Sequence, residues 1–194
     1  PIVKGDYIYV VGTYSWFPNE LVGDNEDDFP DSAGCFIAHF KDGIQDFINF
    51  YNFLEFENLY KSMDGRDVIR IRKKEEKQKK RGEEVSLDYK VLMHPVLDVQ
   101  NELILACEAF YPEYRTVTDM YYDYYGRMVP QTYTVFDGYK YFAGIVVSFG
   151  KDGRLLWDNE MALWDLQTFR LDKYLQIYND GKDNLIFYNK NGKV

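Results

Sequence analysis

Cysteine and histidine are scarce in this chain of 194 residues, two of each, and no apolar run approaches the ~18 residues that a membrane-spanning helix needs. Cys35 and Cys107 each sit inside an apolar, strand-like run and not in a Cys-x-x-Cys spacing, so they read as buried thiols, with a disulfide between them left open. His39 falls on a strand, where it is expected to point outward, and His94 is held extended by Pro95; neither has a ligand pattern around it. A Gly-rich phosphate loop, a Ser-His-Asp order and a zinc spacing are all missing, so no catalytic residue, metal or cofactor is assigned. Positive charge is short as well. A net charge of -9 and a pI near 4.8 oppose binding to a polyanion, and nucleic acid is not an expected partner. No charged-then-apolar leader opens the chain, which starts at Pro1, and this is read as a trimmed piece of a secreted, periplasmic or cell-envelope product.

Aromatic residues are plentiful instead. They make up 18% of the chain, with 18 Tyr and 14 Phe, and such side chains favour the pleated, half-buried surface of a sheet. A repeat gives that preference an order. Ala33 to Tyr51 and Ala143 to Met161 align without a gap at a shift of 110 residues, matching Ala33/Ala143, Gly34/Gly144, Lys41/Lys151, Asp42/Asp152, Gly43/Gly153 and Asn49/Asn159, with Phe47 meeting Trp157. Each copy is an apolar run, a Lys-Asp-Gly turn and an aromatic run, which predicts two antiparallel strands and a tight turn. A leading strand precedes each hairpin, Gly5 to Tyr14 and Asn101 to Phe110, at a shift of 96, so the second copy holds 14 more residues between strand and hairpin. Trp157 and Trp164 are expected to be core rings closing the second copy, and residues 175–178 and 185–188 to form a further hairpin around Asn179-Asp180-Gly181.

The first unit, Gly5 to about Phe53, with GDYIYVVGTYS, an Asp-Phe-Pro at 28–30 and then SAGCFIAHFKDG, resembles the blade repeats of bacterial β-propellers. A looser match runs from Asn101 to about Leu163 and has no Asp-Phe-Pro. The resemblance implies four-stranded antiparallel sheets arranged radially, with binding on the loops around a central channel, and it implies no chemistry. The expected fold is therefore all-β, a partial or small propeller-like set of antiparallel blades with one inserted basic helix. The expected organisation is one domain over 1–194: copy one at 5–54, a helical insertion at 57–83, copy two at 87–165 with a tyrosine-rich loop at 111–141, and a partial third unit at 174–194. The edge strand of that last unit is expected to be covered by further sequence or by another chain.

Two segments stand outside the repeat. Arg66 to Arg81 carries nine Lys or Arg against Asp67, Glu75 and Glu76, a charge of +6, and Gly82 suits the position after a helix end. It reads as a solvated helix drawn to the acidic body, or as a basic arm for an anionic surface. The acidic tract at Asp24, Glu26, Asp27, Asp28 and Asp31 lacks the Gly and the distal Glu of a calcium loop and reads as a solvated loop.

The 111–141 segment holds nine of the 18 tyrosines. Tyr offers a flat apolar face and a hydroxyl at low entropy cost, so this segment is the candidate contact surface for a carbohydrate or a protein partner, or else a small core of its own. The candidate ligand-binding residues are Tyr114, Tyr121, Tyr122, Tyr124, Tyr125, Arg115, Asp119 and Glu108, and the four paired tyrosines are expected to be partly exposed. The functional expectation is a non-enzymatic binding or scaffolding module. The alternative is a carbohydrate-binding or glycoside-hydrolysing domain, which needs two carboxylates among Glu108, Glu113, Asp119 and Asp123 facing one another at roughly 5 to 10 Å.

Overall fold

A computed structural model of the chain describes residues 1–15, 31–59, 61, 65–82, 87, 89–180 and 183–188. The acidic tract at 24–28, the Asp-Phe-Pro at 28–30, Gly181 and the turn at 189–192 lie outside the described residues. The aromatic and β-branched runs become strands: β1 (Ile2–Lys4), β2 (Tyr7–Tyr14), β3 (Asp31–Ser32), β4 (Gly34–Lys41), β5 (Ile44–Asn52), β6 (Tyr89–Met93), β7 (Leu97–Val99), β8 (Glu102–Tyr122), β9 (Met128–Gly150), β10 (Leu155–Thr168), β11 (Leu175–Asn179) and β12 (Asn184–Tyr188). The basic stretch forms α1 (Gly65–Arg81), and Gly82 follows it in the left-handed conformation at φ +69° with its N–H on the Lys79 carbonyl. The described residues are thus mostly β-strand with one α-helix.

The described strands form three antiparallel sheets. The first runs β1-β2-β4-β5, the second β10-β9-β8-β6-β3 with β7 also on β8, and the third is the β11-β12 pair. Cys35 and Ile37 of β4 pack against Leu103, Leu105 and Cys107 of β8 and Ile145, Val147 and Phe149 of β9. On the opposite face of the same strands, Ile104, Ala106 and Val146 meet Trp157, Ile177 and Ile186. The middle sheet is therefore covered on both faces, which is why residues 103–110 and 143–150 are buried without alternation. The two thiols are free and buried in the same cluster; a hydrogen bond with Cys107, together with burial, pushes the Cys35 thiol well up.

The two similar segments take similar paths. β2-β4-β5 and β8-β9-β10 are both three-strand meanders, and each final strand has an unpaired bulge residue just after the turn, Asp46 in one and Leu156 in the other, 110 positions apart. Pairing of the leading strands differs by two residues: Tyr7 faces Lys41, whereas Leu103 faces Phe149. A slip of two keeps every side chain on its own face. The Lys-Asp-Gly turns differ too. Asp42 and Gly43, at φ 51° and 77°, make a two-residue turn of the type that matches strand twist, while Gly150 to Arg154 make a wider one with Gly153 alone left-handed at φ 84°.

Contacts between the copies fix their stacking. Tyr51 Oη donates to the Gly153 carbonyl at 2.8 Å and accepts from Leu155 N at 3.2 Å, and Asn49 Nδ2 donates to the same carbonyl at 3.1 Å. After β5, Asn52 and Glu55 cap a short 3-10 turn that buries Phe53, and Phe56 and Leu59 follow it into the core. Asp158 holds that segment by accepting from the backbone N–H groups of Glu57 and Asn58 at 3.1 and 2.7 Å.

Three expectations need correction. The tyrosine-rich segment is no loop: β8 and β9 continue through it as a paired hairpin, so the extra length of the second copy is strand. Trp164 is 63% exposed, because an irregularity between Ala162 and Leu166, with Asp165 at φ 53°, turns Leu163 and Leu166 inward in its place. His39 does not point outward. It is buried, stacked on Tyr9 at 4.5 Å, with Nδ1 3.0 Å from Asp46 Oδ2.

Candidate functional site

β10 stays paired to β9 only as far as Thr168 opposite Tyr139, and β6 leaves β8 at Phe110. Beyond that point β8 and β9 go on alone, Tyr114 opposite Phe136 through to Tyr122 opposite Met128, as a two-stranded arm about 30 Å long at ~3.4 Å per residue. The local sequence explains it. Thr116, Val117 and Thr118 face Thr134, Tyr133 and Thr132, cross-strand pairs of the kind that stabilise antiparallel sheet. Asp123 closes the tip. Its Oδ1 accepts from Tyr125 N at 2.9 Å and Arg127 N at 2.8 Å, its Oδ2 lies 2.9 Å from Arg127 Nε, and Gly126 takes φ +70°. The backbone and side-chain bonds from Arg127 hold the Asp123 carboxyl below its ordinary value.

Opposite residues in an antiparallel pair share a face, so the arm has two distinct ones. One bears Arg115, Val117, Asp119, Tyr121, Val129, Gln131, Tyr133 and Val135. There Tyr133 Oη donates to Asp119, a bond that raises the phenol's pKa, and Arg115 pairs with Asp137 at 3.1 Å. The other bears Tyr114, Thr116, Thr118, Met120, Tyr122, Met128, Pro130, Thr132, Thr134 and Phe136, with no charged residue. At the tip Tyr124 is 97% exposed, edge-on to Tyr125, and the Arg127 guanidinium lies over the Tyr125 ring at 5.3 Å.

Seven of the eight candidate residues therefore lie on this arm: Tyr114, Arg115, Asp119, Tyr121 and Tyr122 along β8, Tyr124 and Tyr125 at its tip, all exposed. Glu108 lies elsewhere. It is fully buried at 0% exposure, accepts from Tyr174 N and Leu175 N at 2.8 Å each, and sits 2.6 Å from His94 Nε2. Its role is to hold the start of the third sheet against β8. The sequence signal for that role is a lone carboxylate inside the run LILACEAF, since such a group must find donors when buried. Beside it Tyr141 is buried with its hydroxyl on the Asp172 carbonyl at 2.8 Å, and burial, then the Glu108 charge, pushes that phenol well up.

The four carboxylates do not converge. Glu108 is inside, Asp123 is bonded into the tip, and Glu113 and Asp119 are six residues apart on one strand, about 20 Å. That is beyond the separation glycoside hydrolysis uses. Among the described residues, no group of three or more His, Cys, Asp or Glu is placed to hold a metal ion, and no helix is long and apolar enough to cross a membrane. No protein-family model matches the chain, and no curated protein and no solved structure matches it either.

Proposed function

We propose that the chain is a non-enzymatic binding or scaffolding module in which stacked sheets support the 114–136 arm as the binding element, with a protein as partner. One observation carries this reading: a two-stranded ribbon, marginal by itself in water, holds large apolar side chains exposed on both faces and at its tip. Tyrosine-rich, exposed contact surfaces of this kind suit protein recognition. Carbohydrate is the second reading, favoured by the open rings of Tyr124 and Tyr125 beside Arg127.

The same proposal includes a propeller-like arrangement, supported by the face-to-face stacking of three antiparallel sheets around shared cores. It also includes a secreted, periplasmic or envelope setting, which fractionation of native cells tests. For the binding element, a photo-crosslinking residue placed at Tyr124 is expected to capture one defined protein partner, and the same probe at the exposed Ile44 turn none. Equal labelling from both positions would sink the proposal. Retention on a glycan array that is lost with Tyr124→Ala would move the partner to carbohydrate.

A further inference from the structure

The two faces of the arm differ in a way that selects a partner. Between Tyr114 and Phe136, Arg115 and Arg127 balance Asp119 and Asp123, so the arm is neutral while the whole chain carries -9. All four charges lie on one face or in the tip turn. The other face presents Tyr114, Met120, Tyr122 and Met128 at 60, 54, 70 and 57% exposure, with a Thr118–Thr132 hydroxyl pair at 3.1 Å between them.

We propose that this uncharged face docks onto the same face of a second copy of the chain, the two arms lying antiparallel about a two-fold axis. The inference rests on the arm being the binding element. Three arguments choose the occupant. A two-fold interface needs a self-complementary surface, and a face without charge meets its own copy with no like charges opposed and none buried unpaired. Antiparallel overlap of two ~30 Å arms keeps the two acidic bodies at opposite ends, where their repulsion is screened over a Debye length of about 8 Å. Area is the third. With roughly 150–250 Å² to an aromatic ring, the exposed fractions of Tyr114, Tyr122 and Phe136 alone offer on the order of 300 Å², and the seven other side chains bring the face to on the order of 800 Å², the share of each partner in a standard interface. Pairing through the strand edges is the weaker mode, because Pro130 removes a donor from the ribbon.

The test is sedimentation equilibrium of the full chain from low micromolar to several hundred micromolar. The expected mass at the upper end is twice the 23.0 kDa of one chain. Met120→Lys or Met128→Lys, each at an exposed site that leaves the monomer's core untouched, is expected to weaken the dimer on the order of 100-fold through an unpaired buried charge on each copy. Gln131→Lys, exposed on the opposite face across from Asp119, is expected to leave the dimer constant within about threefold. Equal weakening by Met120→Lys and Gln131→Lys would overturn the assignment of the face. A monomer at every concentration, with cross-linking from position 124 retained, would remove the second copy and keep the binding element. A chain lacking the arm that still dimerises would overturn both.

Discussion

Gly43 and Gly153 occupy the same place in two Lys-Asp-Gly turns, yet their surroundings differ. Both have positive φ, 77° and 84°, which an L side chain adopts at a cost of about 1 kcal/mol. A Cβ on Gly43 meets nothing within 4 Å, whereas one on Gly153 would fall 2.4 Å from Phe47 Cε2 and 2.7 Å from Asn49 Nδ2. Gly43→Ala is therefore expected to lose about 1 kcal/mol and Gly153→Ala about 2–4, the excess being overpacking against β5. Urea midpoints of the two variants check this, and equal losses would mean that the turns do not differ as described. Tyr141 gives a second test at this scale. Its folded pKa lies above the ordinary value near 10, so the contribution is complete below pH 10. Above that the unfolded phenol ionises while the folded one keeps its proton, and stability falls by up to about 1.4 kcal/mol per pH unit. Tyr141→Phe is expected to cost about 1 kcal/mol at pH 7 through the lost bond to Asp172 and to fall less steeply than the parent above pH 10. Parallel stability curves for the two proteins between pH 9 and 11 would contradict it.

The arm is an element whose removal tests whether it serves the fold or a partner. Past Asp137, which is skipped in the strand register, Glu113 faces Gly138, so replacing residues 114–137 with Asn-Gly joins paired positions through a two-residue turn. The arm touches the body mainly at its base, where Phe136 meets Tyr139 at 4.9 Å and Phe169 at 6.3 Å edge-on. Dilute, monomeric protein without the arm is expected to keep its unfolding free energy within about 1 kcal/mol, read from urea titration. A loss of several kcal/mol would make the arm a structural part of the sheet. What the sequence revealed of these elements follows from how each is buried. The Lys-Asp-Gly hairpins and α1 with Gly82 were legible because their turn and end residues follow backbone geometry, and β11 and β12 because each is a short aromatic and β-branched run. The arm was not legible as strand, since a ribbon exposed on both faces has no inward side and so no apolar alternation for a period of two to mark. Glu108 could be noticed as a charge in an apolar run, but its donors, Tyr174 N and Leu175 N, lie 66 and 67 residues away, and no local pattern names them.

At the scale of the molecule, charge is segregated. Residues 66–81 carry +6, so the remainder of a chain at -9 carries -15, and that remainder is the stacked sheets with their connections. A body so charged repels itself, and the basic helix offsets part of that field at a distance. α1 gives the folded body little packing that is seen in its described side chains: Ile69 is 56% exposed, and Arg72, Lys73, Lys77, Lys79, Lys80 and Arg81 are exposed. Replacing Gly65–Gly82 by an uncharged Gly-Ser linker is therefore expected to leave the sheets folded, with the near-ultraviolet dichroism of the buried aromatic rings unchanged. The salt response is expected to change instead. Raising salt to ~0.5 M screens the field, and the shortened chain, with -15 to screen against -9, is expected to gain about 1 kcal/mol more than the full chain does. Urea denaturation at the two salt concentrations measures the difference directly. A full chain that gains as much as the shortened one would show that the helix lies too far from the acidic surfaces to act on them, and would leave its exposed basic side chains, Arg72, Lys73, Lys77, Lys79, Lys80 and Arg81, to solvent or to an anionic surface outside the molecule.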